Sequence, residues 1–238
     1  MVNRIAQPVI DAAETRPLAA FYGALLGMRE VDSEDDGSVL IGHEQPPGIA
    51  FSRLDDYRPP RWPDSTCPPQ MHFDIAVHDF TAAERLVLEH GGTRLPDMGG
   101  DHPVFADPSG HPFCLYASAA AAEHRGRIEV VQIDCPDAAA LARFYMGLLG
   151  VPGEQTGRDS WLIGREGRLP RLGFREVERY QPPRWKDRAF PQQIHLDIYV
   201  DDPAVAVQLG ATPLPEGGGW DVYADPAGHP FCLGVEGY

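Results

Sequence analysis

The sequence predicts an α+β fold made by tandem duplication, in which a strand–helix–strand unit recurs four times. Three observations support this prediction: four segments occur twice, apolar stripes with helical spacing end at glycines, and turn-forming residues are abundant. Of the 238 residues, 25 are glycine and 24 are proline. That abundance is typical of many turns between short strands.

The internal repeat defines two modules. Three pairs of segments lie 123 residues apart and a fourth lies 118 apart, and 24 of the 34 compared positions are identical. The pairs are residues 21–27 and 144–150, 55–62 and 178–185, 70–79 and 193–202, and 107–115 and 225–233. This period is too long for a solenoid and indicates a duplicated domain. We predict module 1 at residues 1–118, a linker at 119–126 and module 2 at 127–238.

The elements of module 1 follow one order in each half. A β-rich segment at 5–10 precedes a helix that Gly27 ends. The helix is predicted from apolar residues at i, i+3, i+4, i+7 and i+8, namely Leu18, Phe21, Tyr22, Leu25 and Leu26. Strands are predicted at 38–42 and 48–54, and the acidic stretch at 32–36 is interpreted as a solvated loop.

The second half of module 1 repeats this order. It begins with a strand at 71–77, has a helix over about 81–90, and continues with strands at 104–106 and 112–117. Module 2 lacks five residues after the position that corresponds to Asp79. The helix that follows should therefore be shorter by about one turn.

Composition and charge exclude several classes of function. Hydrophobic residues make up 43% of the chain, enough for a core, and the formal net charge of −15 repels phosphate backbones and anionic lipid. Nucleic acid and membrane surfaces are therefore poor candidates as partners. No apolar run approaches the ~20 residues that span a bilayer, and we expect a cytoplasmic protein. In that compartment we expect reduced thiols at all four cysteines, Cys67, Cys114, Cys135 and Cys232.

Three motifs carry a resemblance to a known superfamily. They are the Phe-Tyr-x-x-x-Leu-Gly helix, the Asp-Pro-x-Gly-His-Pro-Phe turn, and the combination of Arg-Pro-Pro-Arg-Trp with Gln-x-His-x-Asp, each of which occurs twice. With the βαβββ order, they resemble the vicinal-oxygen-chelate superfamily of glyoxalases, bleomycin-resistance proteins and dioxygenases, and within it the glyoxalase-like domain branch. The resemblance implies curled mixed sheets with helices on the convex face. It also implies a concave cleft with a divalent metal that polarises substrate oxygens.

Strand alternation places candidate ligands in the cleft. In the strand 71–77, Phe73, Ile75 and Val77 share one face, which leaves His72 and Asp74 on the other. His195 and Asp197 occupy the same positions in module 2. Each histidine is either a metal ligand, as the resemblance implies, or half of a hydrogen-bonded His–Asp pair.

The last strand departs from the superfamily pattern. Cys114 and Cys232 stand where the metalloenzymes often have glutamate, four residues after the turn glycine. They are interpreted either as pocket or core residues or as ligands of a soft metal. At the first-strand ligand position the two modules have Gln7 and Val130, and at another they have Ser52 and Arg175.

If the modules pair as the superfamily's dimers do, two unequal clefts result. One combines Gln7 and Ser52 with His195 and Cys232, and the other combines Val130 and Arg175 with His72 and Cys114. We expect a divalent metal, if one is bound, at Gln7, His195 and Cys232, with Asp197 as the catalytic base. The identity of the metal cannot be predicted, and a chain without a metal is the alternative.

Two functions remain open at this point. The first is metal-assisted lyase or isomerase chemistry on an oxygen-rich small molecule. The second is a metal-free small-molecule binding protein of the antibiotic-resistance type. The residues expected to contact a ligand are Phe51, Trp62, His72, Arg175 and Trp185, with Phe174 added in the metal-free case.

Further features have structural alternatives. Trp62 and Trp185 either stack on a planar ligand, with Arg61 and Arg184 reading a carboxylate, or fasten the crossover to the sheet. His111 and His229 are interpreted as hairpin-shaping residues. The quaternary state is expected to be a monomer with an internal pseudo-twofold axis, or a homodimer.

Overall fold

The computed structural model describes residues 3–43, 47–61, 70–96, 102–122, 125–165, 167–168, 170–185, 187, 190–215 and 220–235. Within these ranges, no helix is long and apolar enough to cross a membrane. The described part of the chain holds sixteen strands, four α-helices and one short 3-10 helix. The predicted α+β architecture of two tandem modules is confirmed.

Module 1 follows the predicted order with two additional strands. Its helices are α1 (Thr15–Leu26) and α2 (Phe80–Glu89). Its strands are β1 (Arg4–Ala12), β2 (Arg29–Ser33), β3 (Val39–Gly42), β4 (Ile49–Arg53), β5 (Met71–Val77), β6 (Thr93–Arg94), β7 (Val104–Ala106) and β8 (Pro112–Ala117). Gly27 has φ 71 and ends α1 in the left-handed conformation that glycine adopts without strain.

Module 2 repeats the same series after a 3-10 helix at Ala119–Ala121. Its helices are α3 (Ala138–Leu149) and α4 (Ala204–Leu209). Its strands are β9 (Gly126–Cys135), β10 (Gly153–Gly157), β11 (Ser160–Ile163), β12 (Arg171–Glu176), β13 (Ile194–Tyr199), β14 (Thr212–Pro213), β15 (Asp221–Ala224) and β16 (Pro230–Gly234). Helix α4 has 6 residues against 10 in α2, which is the predicted loss of about one turn.

The interpretation of residues 32–36 as a loop is wrong in part. Asp32 and Ser33 belong to β2, which pairs antiparallel with β3. All five residues of β2 are exposed, so the strand has no apolar alternation that a sequence pattern could reveal. Residues 34–37 do form the turn between the two strands.

The two sheets each combine strands from both modules. Sheet I has the order β14-β15-β16-β13-β1-β4-β3-β2, and sheet II has the order β10-β11-β12-β9-β5-β8-β7-β6. The joints are antiparallel: β1 pairs with β13, and β5 pairs with β9. The first half of module 1 therefore shares a sheet with the second half of module 2, which is the cross-module pairing that the superfamily resemblance implies.

Apolar residues on one face of each sheet pack under the helices. Phe73, Ile75 and Val77 of β5 belong to the core, as predicted from alternation. Leu196, Ile198 and Val200 occupy the same place in module 2. The opposite, helix-free face of each sheet carries the polar side chains, and we call these two surfaces cleft I, on sheet I, and cleft II, on sheet II.

The Asp-Pro-x-Gly-His-Pro turn is the centre of a buried hydrogen-bond network. Asp107 Oδ1 accepts hydrogen bonds from the backbone N–H of Ser109 at 2.8 Å and of His111 at 3.0 Å. Asp107 Oδ2 accepts one from the Tyr22 hydroxyl at 3.0 Å and lies 3.0 Å from His111 Nδ1. His111 Nε2 in turn lies 2.9 Å from the Tyr57 hydroxyl of the crossover.

Module 2 has the same network on Asp225, His229, Tyr145 and Tyr180. The turn thereby fastens helix, hairpin and crossover together. Both ring nitrogens of His111 and of His229 have hydrogen-bond partners within the fold. This agrees with their interpretation as hairpin-shaping residues.

Removing one hydroxyl from this network tests its contribution to stability. Tyr22→Phe leaves Asp107 with one hydrogen bond fewer in a fully buried site, and we expect a loss of about 1–2 kcal/mol in the free energy of unfolding. Urea denaturation measures it. Tyr223→Phe, on a half-buried ring of β15, is the control and should change the midpoint little. Equal effects of the two substitutions would contradict the role assigned to the network.

Candidate functional site

Cleft I brings together three side chains of different donor chemistry. His195 and Asp197 alternate along β13, and Cys232 on β16 lies opposite Asp197 in the parallel pairing. Their potential ligand atoms all lie within 4.8 Å of one another. His195 Nε2 is 3.6 Å from Asp197 Oδ1, outside hydrogen-bond distance. An imidazole nitrogen, a carboxylate oxygen and a sulfur thus face one point from two neighbouring strands.

Gln7 joins this group from the other module. It lies opposite Asp197 in the pairing of β1 with β13, and its Nε2 donates a hydrogen bond to Asp197 Oδ2 at 2.9 Å. The amide N–H group therefore orients the carboxylate, and the amide oxygen is the atom of Gln7 that can bind a metal. The structure thus brings Gln7, His195 and Cys232, the predicted ligands, to one place beside Asp197, the predicted base.

Burial keeps the acidic groups of cleft I in their protonated forms to higher pH. It raises the pKa of Asp197, although the positive charge of His195 and the hydrogen bond from Gln7 act in the opposite direction. Burial and the negative charge of Asp197 raise the pKa of the Cys232 thiol well above its ordinary value. Without a cation this cysteine is a thiol, so a metal that binds it must displace a proton.

Asp11 is an additional acidic group in cleft I that sequence analysis missed. It shares the cleft face of β1 with Gln7, because Ile10 and Ala12 belong to the core. Its side chain is 1% exposed, and its Oδ2 has no hydrogen-bond partner among the described residues. Burial raises its pKa to about 6, against the lowering effects of His195 and of a hydrogen bond with Gln192.

Cleft II contains the duplicate of the same group. His72 and Asp74 of β5 and Cys114 of β8 also have their potential ligand atoms within 4.8 Å of one another. His72 Nε2 lies 3.6 Å from Asp74 Oδ1, as in cleft I. Burial raises the pKa of Cys114 to about 12. Both predicted histidines therefore point into clefts beside their aspartates.

Arg175 makes cleft II electrostatically different. Its guanidinium binds Asp134 in a bidentate pair, with Nε–Oδ1 and Nη2–Oδ2 distances of 3.0 Å. The side chain remains 44% exposed. Its positive charge acts on His72, whose pKa is lowered to about 3 mainly by burial and then by Arg175. Cleft II thus holds a fixed cation where cleft I has the hydroxyl of Ser52.

Two phenylalanines that were expected to contact a ligand, Phe51 and Phe174, lie in the core. Phe51 is wholly buried and packs against Tyr22, with ring centroids 5.9 Å apart. On β4, Ile49 and Phe51 face the helices and Ser52 faces the cleft, so the prediction that Phe51 lines the cleft is wrong. Phe174 belongs to the core for the same reason.

The tryptophan of the crossover is fixed to the sheet edge. Trp185 Nε1 donates a hydrogen bond to the carbonyl of Pro215, just after β14. The guanidinium of Arg184 lies 4.5 Å from the ring of Phe190 and pairs with Asp187. These contacts favour a structural role for this part of the crossover over the stacking role. Trp62, the other candidate for stacking on a planar ligand, lies outside the described residues.

The described cysteines agree with the expected thiol state. Cys114, Cys135 and Cys232 are free. Cys67 lies outside the described residues.

Comparison with protein families decides where the chain belongs. The glyoxalase-like domain family matches residues 7–116 and again 130–234, which together cover most of both modules. The chain belongs to this family. The predicted membership of the glyoxalase-like branch of the vicinal-oxygen-chelate superfamily is thereby confirmed. A search of curated proteins found no match.

Solved structures with this fold agree with the assignment. A glyoxalase I mutant from Zea mays is 16% identical with a TM-score of 0.62, and the match covers 98% of this chain and 93% of that one. Glyoxalase I from Zea mays is 15% identical with a TM-score of 0.61, and it covers 97% and 92%. A putative dioxygenase from Bacillus subtilis subsp. subtilis str. 168 is 12% identical with a TM-score of 0.66, and it covers 98% and 85%. At these identities the likeness concerns the fold alone.

The buried Asp11 carboxyl predicts a specific pH dependence of stability. Its folded pKa of about 6 lies above its ordinary value of 3.8, so its contribution to stability is complete below pH ~4 and is lost as the pH rises through 6. Asp11→Asn removes this loss. At pH 7 the variant should exceed the wild type by up to about 3 kcal/mol more than at pH 4.

Urea denaturation of metal-free wild type and Asp11→Asn between pH 4 and 7 measures the difference. Asp134→Asn is the matched control, because the guanidinium of Arg175 opposes the effect of burial on the pKa of Asp134. The control should show a weaker pH dependence. A constant difference between wild type and Asp11→Asn over this range would contradict the raised pKa of the buried Asp11 carboxyl.

Proposed function

We propose that the chain is a metal-assisted small-molecule enzyme of the glyoxalase type, with cleft I as its catalytic centre and an isomerase or lyase reaction as its chemistry. The observation that carries the proposal is the convergence of His195, Asp197 and Cys232 within 4.8 Å on the helix-free face of sheet I. Gln7 adds a fourth polar group from the opposite module. Family membership supports a small-molecule substrate.

The donor set in cleft I fits a divalent metal such as zinc. Zinc binds imidazole nitrogen, thiolate sulfur and carboxylate or amide oxygen, whereas magnesium and calcium require oxygen ligands. We assign His195, Cys232 and the oxygen of Gln7 as the ligands. When bound there, the metal supplies a Lewis acid that polarises neighbouring substrate oxygens and stabilises negative charge on them.

The charges of the two clefts favour cleft I for a cation. Asp11 and Asp197 both contribute negative charge around Cys232, and after burial their charges are among the main causes of its raised pKa. In cleft II the positive charge of Arg175 acts on His72, Asp74 and Cys114 alike. A guanidinium at that position opposes the binding of a second cation.

Asp197 is assigned the proton-transfer role in this proposal. Gln7 holds Asp197 Oδ2 by a hydrogen bond, which leaves Oδ1 directed towards the ligand side of the cleft. Burial raises the pKa of this carboxyl towards the range in which a base both takes up and releases a proton. A substrate whose oxygens lie beside His195 and Cys232 would present its acidic C–H to Oδ1.

Metal analysis of the untagged protein tests the proposal. We expect one zinc per chain, and His195→Ala and Cys232→Ser should each lower zinc affinity at least about 10-fold. The matched controls in cleft II, His72→Ala and Cys114→Ser, should leave the stoichiometry unchanged. Less than about 0.2 metal per chain after incubation with zinc, nickel, manganese or iron, or equal losses in the two clefts, would overturn the proposal.

A deuterium-exchange experiment tests the role of Asp197. In D₂O, the zinc-loaded chain should exchange the C–H next to the carbonyl of small α-hydroxy ketones, which NMR detects. Asp197→Asn should keep zinc bound and lower the exchange rate at least about 100-fold. Loss of zinc in this variant would instead make Asp197 a ligand and remove the base assignment.

The raised pKa of Cys232 predicts that zinc binding depends on pH. Because the thiol must lose its proton when zinc binds, affinity should rise by up to about tenfold for each pH unit between 6.5 and 7.5. Competition with a chromophoric chelator at several pH values measures this slope. Cys232→Ser should flatten it, and an unchanged slope in that variant would show that the proton comes from another group.

A second function fits cleft II, namely metal-free binding of a small molecule. Arg175 stands there at a ligand position, half-exposed and paired with Asp134. The rings of His102 and Tyr116 are stacked with centroids 4.4 Å apart. Tyr116 lies on β8, and His102 lies two residues before β7, which pairs with β8 in the same sheet. Metal-free binding of the antibiotic-resistance type is therefore assigned to cleft II. A thermal-shift screen of small molecules tests it, with Arg175→Ser as the control variant.

A further inference from the structure

The two clefts differ at one acidic position in a way that identifies a missing partner. Asp11 and Asp134 are equivalent residues of the two modules, as are Ser52 and Arg175. In each sheet the two positions are register partners on neighbouring parallel strands. Asp134 therefore pairs with the guanidinium of the residue opposite it, whereas the residue opposite Asp11 is a serine.

The described residues compensate the carboxylate of Asp11 only in part, through a hydrogen bond with Gln192 and the charge of His195. Asp11 is 1% exposed, and its Oδ2 has no hydrogen-bond partner in the part of the chain that the structure describes. Gln192 contacts both Asp11 and His195, and its Oε1 is also buried with no hydrogen-bond partner among the described residues. Two buried acceptor atoms without donors thus lie at the same end of cleft I. Buried acceptors of this kind are normally satisfied, and a buried carboxylate is normally paired with a cation.

The geometry of cleft II shows which group satisfies such a site. There a planar guanidinium donates two parallel N–H bonds to the equivalent carboxylate, both at 3.0 Å. Bidentate pairing of this kind is specific to planar N–H forks and is not reproduced by an ammonium ion. The amide oxygen of Gln192 offers an acceptor for a further N–H of the same group.

We propose that the substrate of cleft I carries a guanidinium or amidinium group that binds Asp11 and Gln192. The proposal rests on cleft I being the catalytic centre, and it adds the class of substrate. Asp11 is two residues along β1 from Val9, which lies opposite His195. Two residues of a strand span about 7 Å. The substrate therefore has its planar cation about that far from the oxygens that bind at His195 and Cys232.

The duplication supplies the variants that test this inference. Ser52→Arg places the arginine of cleft II into cleft I, where it should occupy Asp11 itself. Arg175→Ser makes the reverse change and should open a second site at Asp134. Asp11→Asn removes the charge and keeps the shape. Circular dichroism and urea midpoints establish that each variant is folded.

The probe is ethylguanidinium, with the neutral analogue N-ethylurea as its control, titrated into metal-free protein and followed by NMR. The wild type should bind one equivalent of ethylguanidinium and at least 10-fold less N-ethylurea. Asp11→Asn and Ser52→Arg should each weaken ethylguanidinium binding at least 10-fold, and Arg175→Ser should bind two equivalents. Binding that does not distinguish the two probes, that survives in Asp11→Asn and Ser52→Arg, or that stays at one equivalent in Arg175→Ser overturns the inference.

Failure of this inference is distinguishable from failure of the proposed function, because the probe is titrated without metal and zinc is titrated without probe. Zinc binding in cleft I without discrimination between the probes overturns only the substrate class. Selective ethylguanidinium binding without zinc binding overturns the metal-assisted reaction and leaves the cation site at Asp11 in place.

Discussion

The antiparallel backbone pairing of β1 with β13, and of β5 with β9, is the contact on which both clefts depend. It places half of module 1 and half of module 2 in each sheet. Gln7 reaches Asp197 only through this pairing, over a separation of 190 residues. The joints also bury a continuous apolar face under the helices, so the same contact that assembles the core assembles the site. Neither module on its own contains a complete cleft.

Because the chain is duplicated, its fold could be predicted from the sequence in more detail than the composition of its clefts. Recurring segments predicted two modules, and alternation placed His72 and His195 on the helix-free face, where the structure has them. The predicted end of α1 at Gly27 is also correct. By contrast, β2 carries no periodic signal because all of its residues are exposed. Phe51 was assigned to the cleft, although the alternation that worked for β5 places it in the core.

Asp11 shows a different limit of sequence reasoning. A lone aspartate near the end of a strand is unremarkable until its neighbours across the sheet are known, because the cost of burying it depends on which cations lie nearby. A comparison of the two modules at an offset of 123 residues would have identified Asp11. Aspartate is retained at positions 11 and 134 while serine and arginine differ at 52 and 175. Combined with the strand register, that pattern identifies one carboxylate with an arginine opposite it and one with a serine opposite it.

The long separation between β1 and β13 also has a consequence for synthesis on the ribosome. Sheet II joins β5 to β9 over a short stretch of chain, so its central strands can pair before the second half of module 2 has been made. Strand β1 must wait for residues 194–199, and until then its open edge exposes backbone N–H and C=O groups to other chains. Contacts between such distant residues slow folding and lengthen exposure to aggregation. The half-module that contributes Asp11 and Gln7 thus carries the strand edge that waits longest for its partner during synthesis.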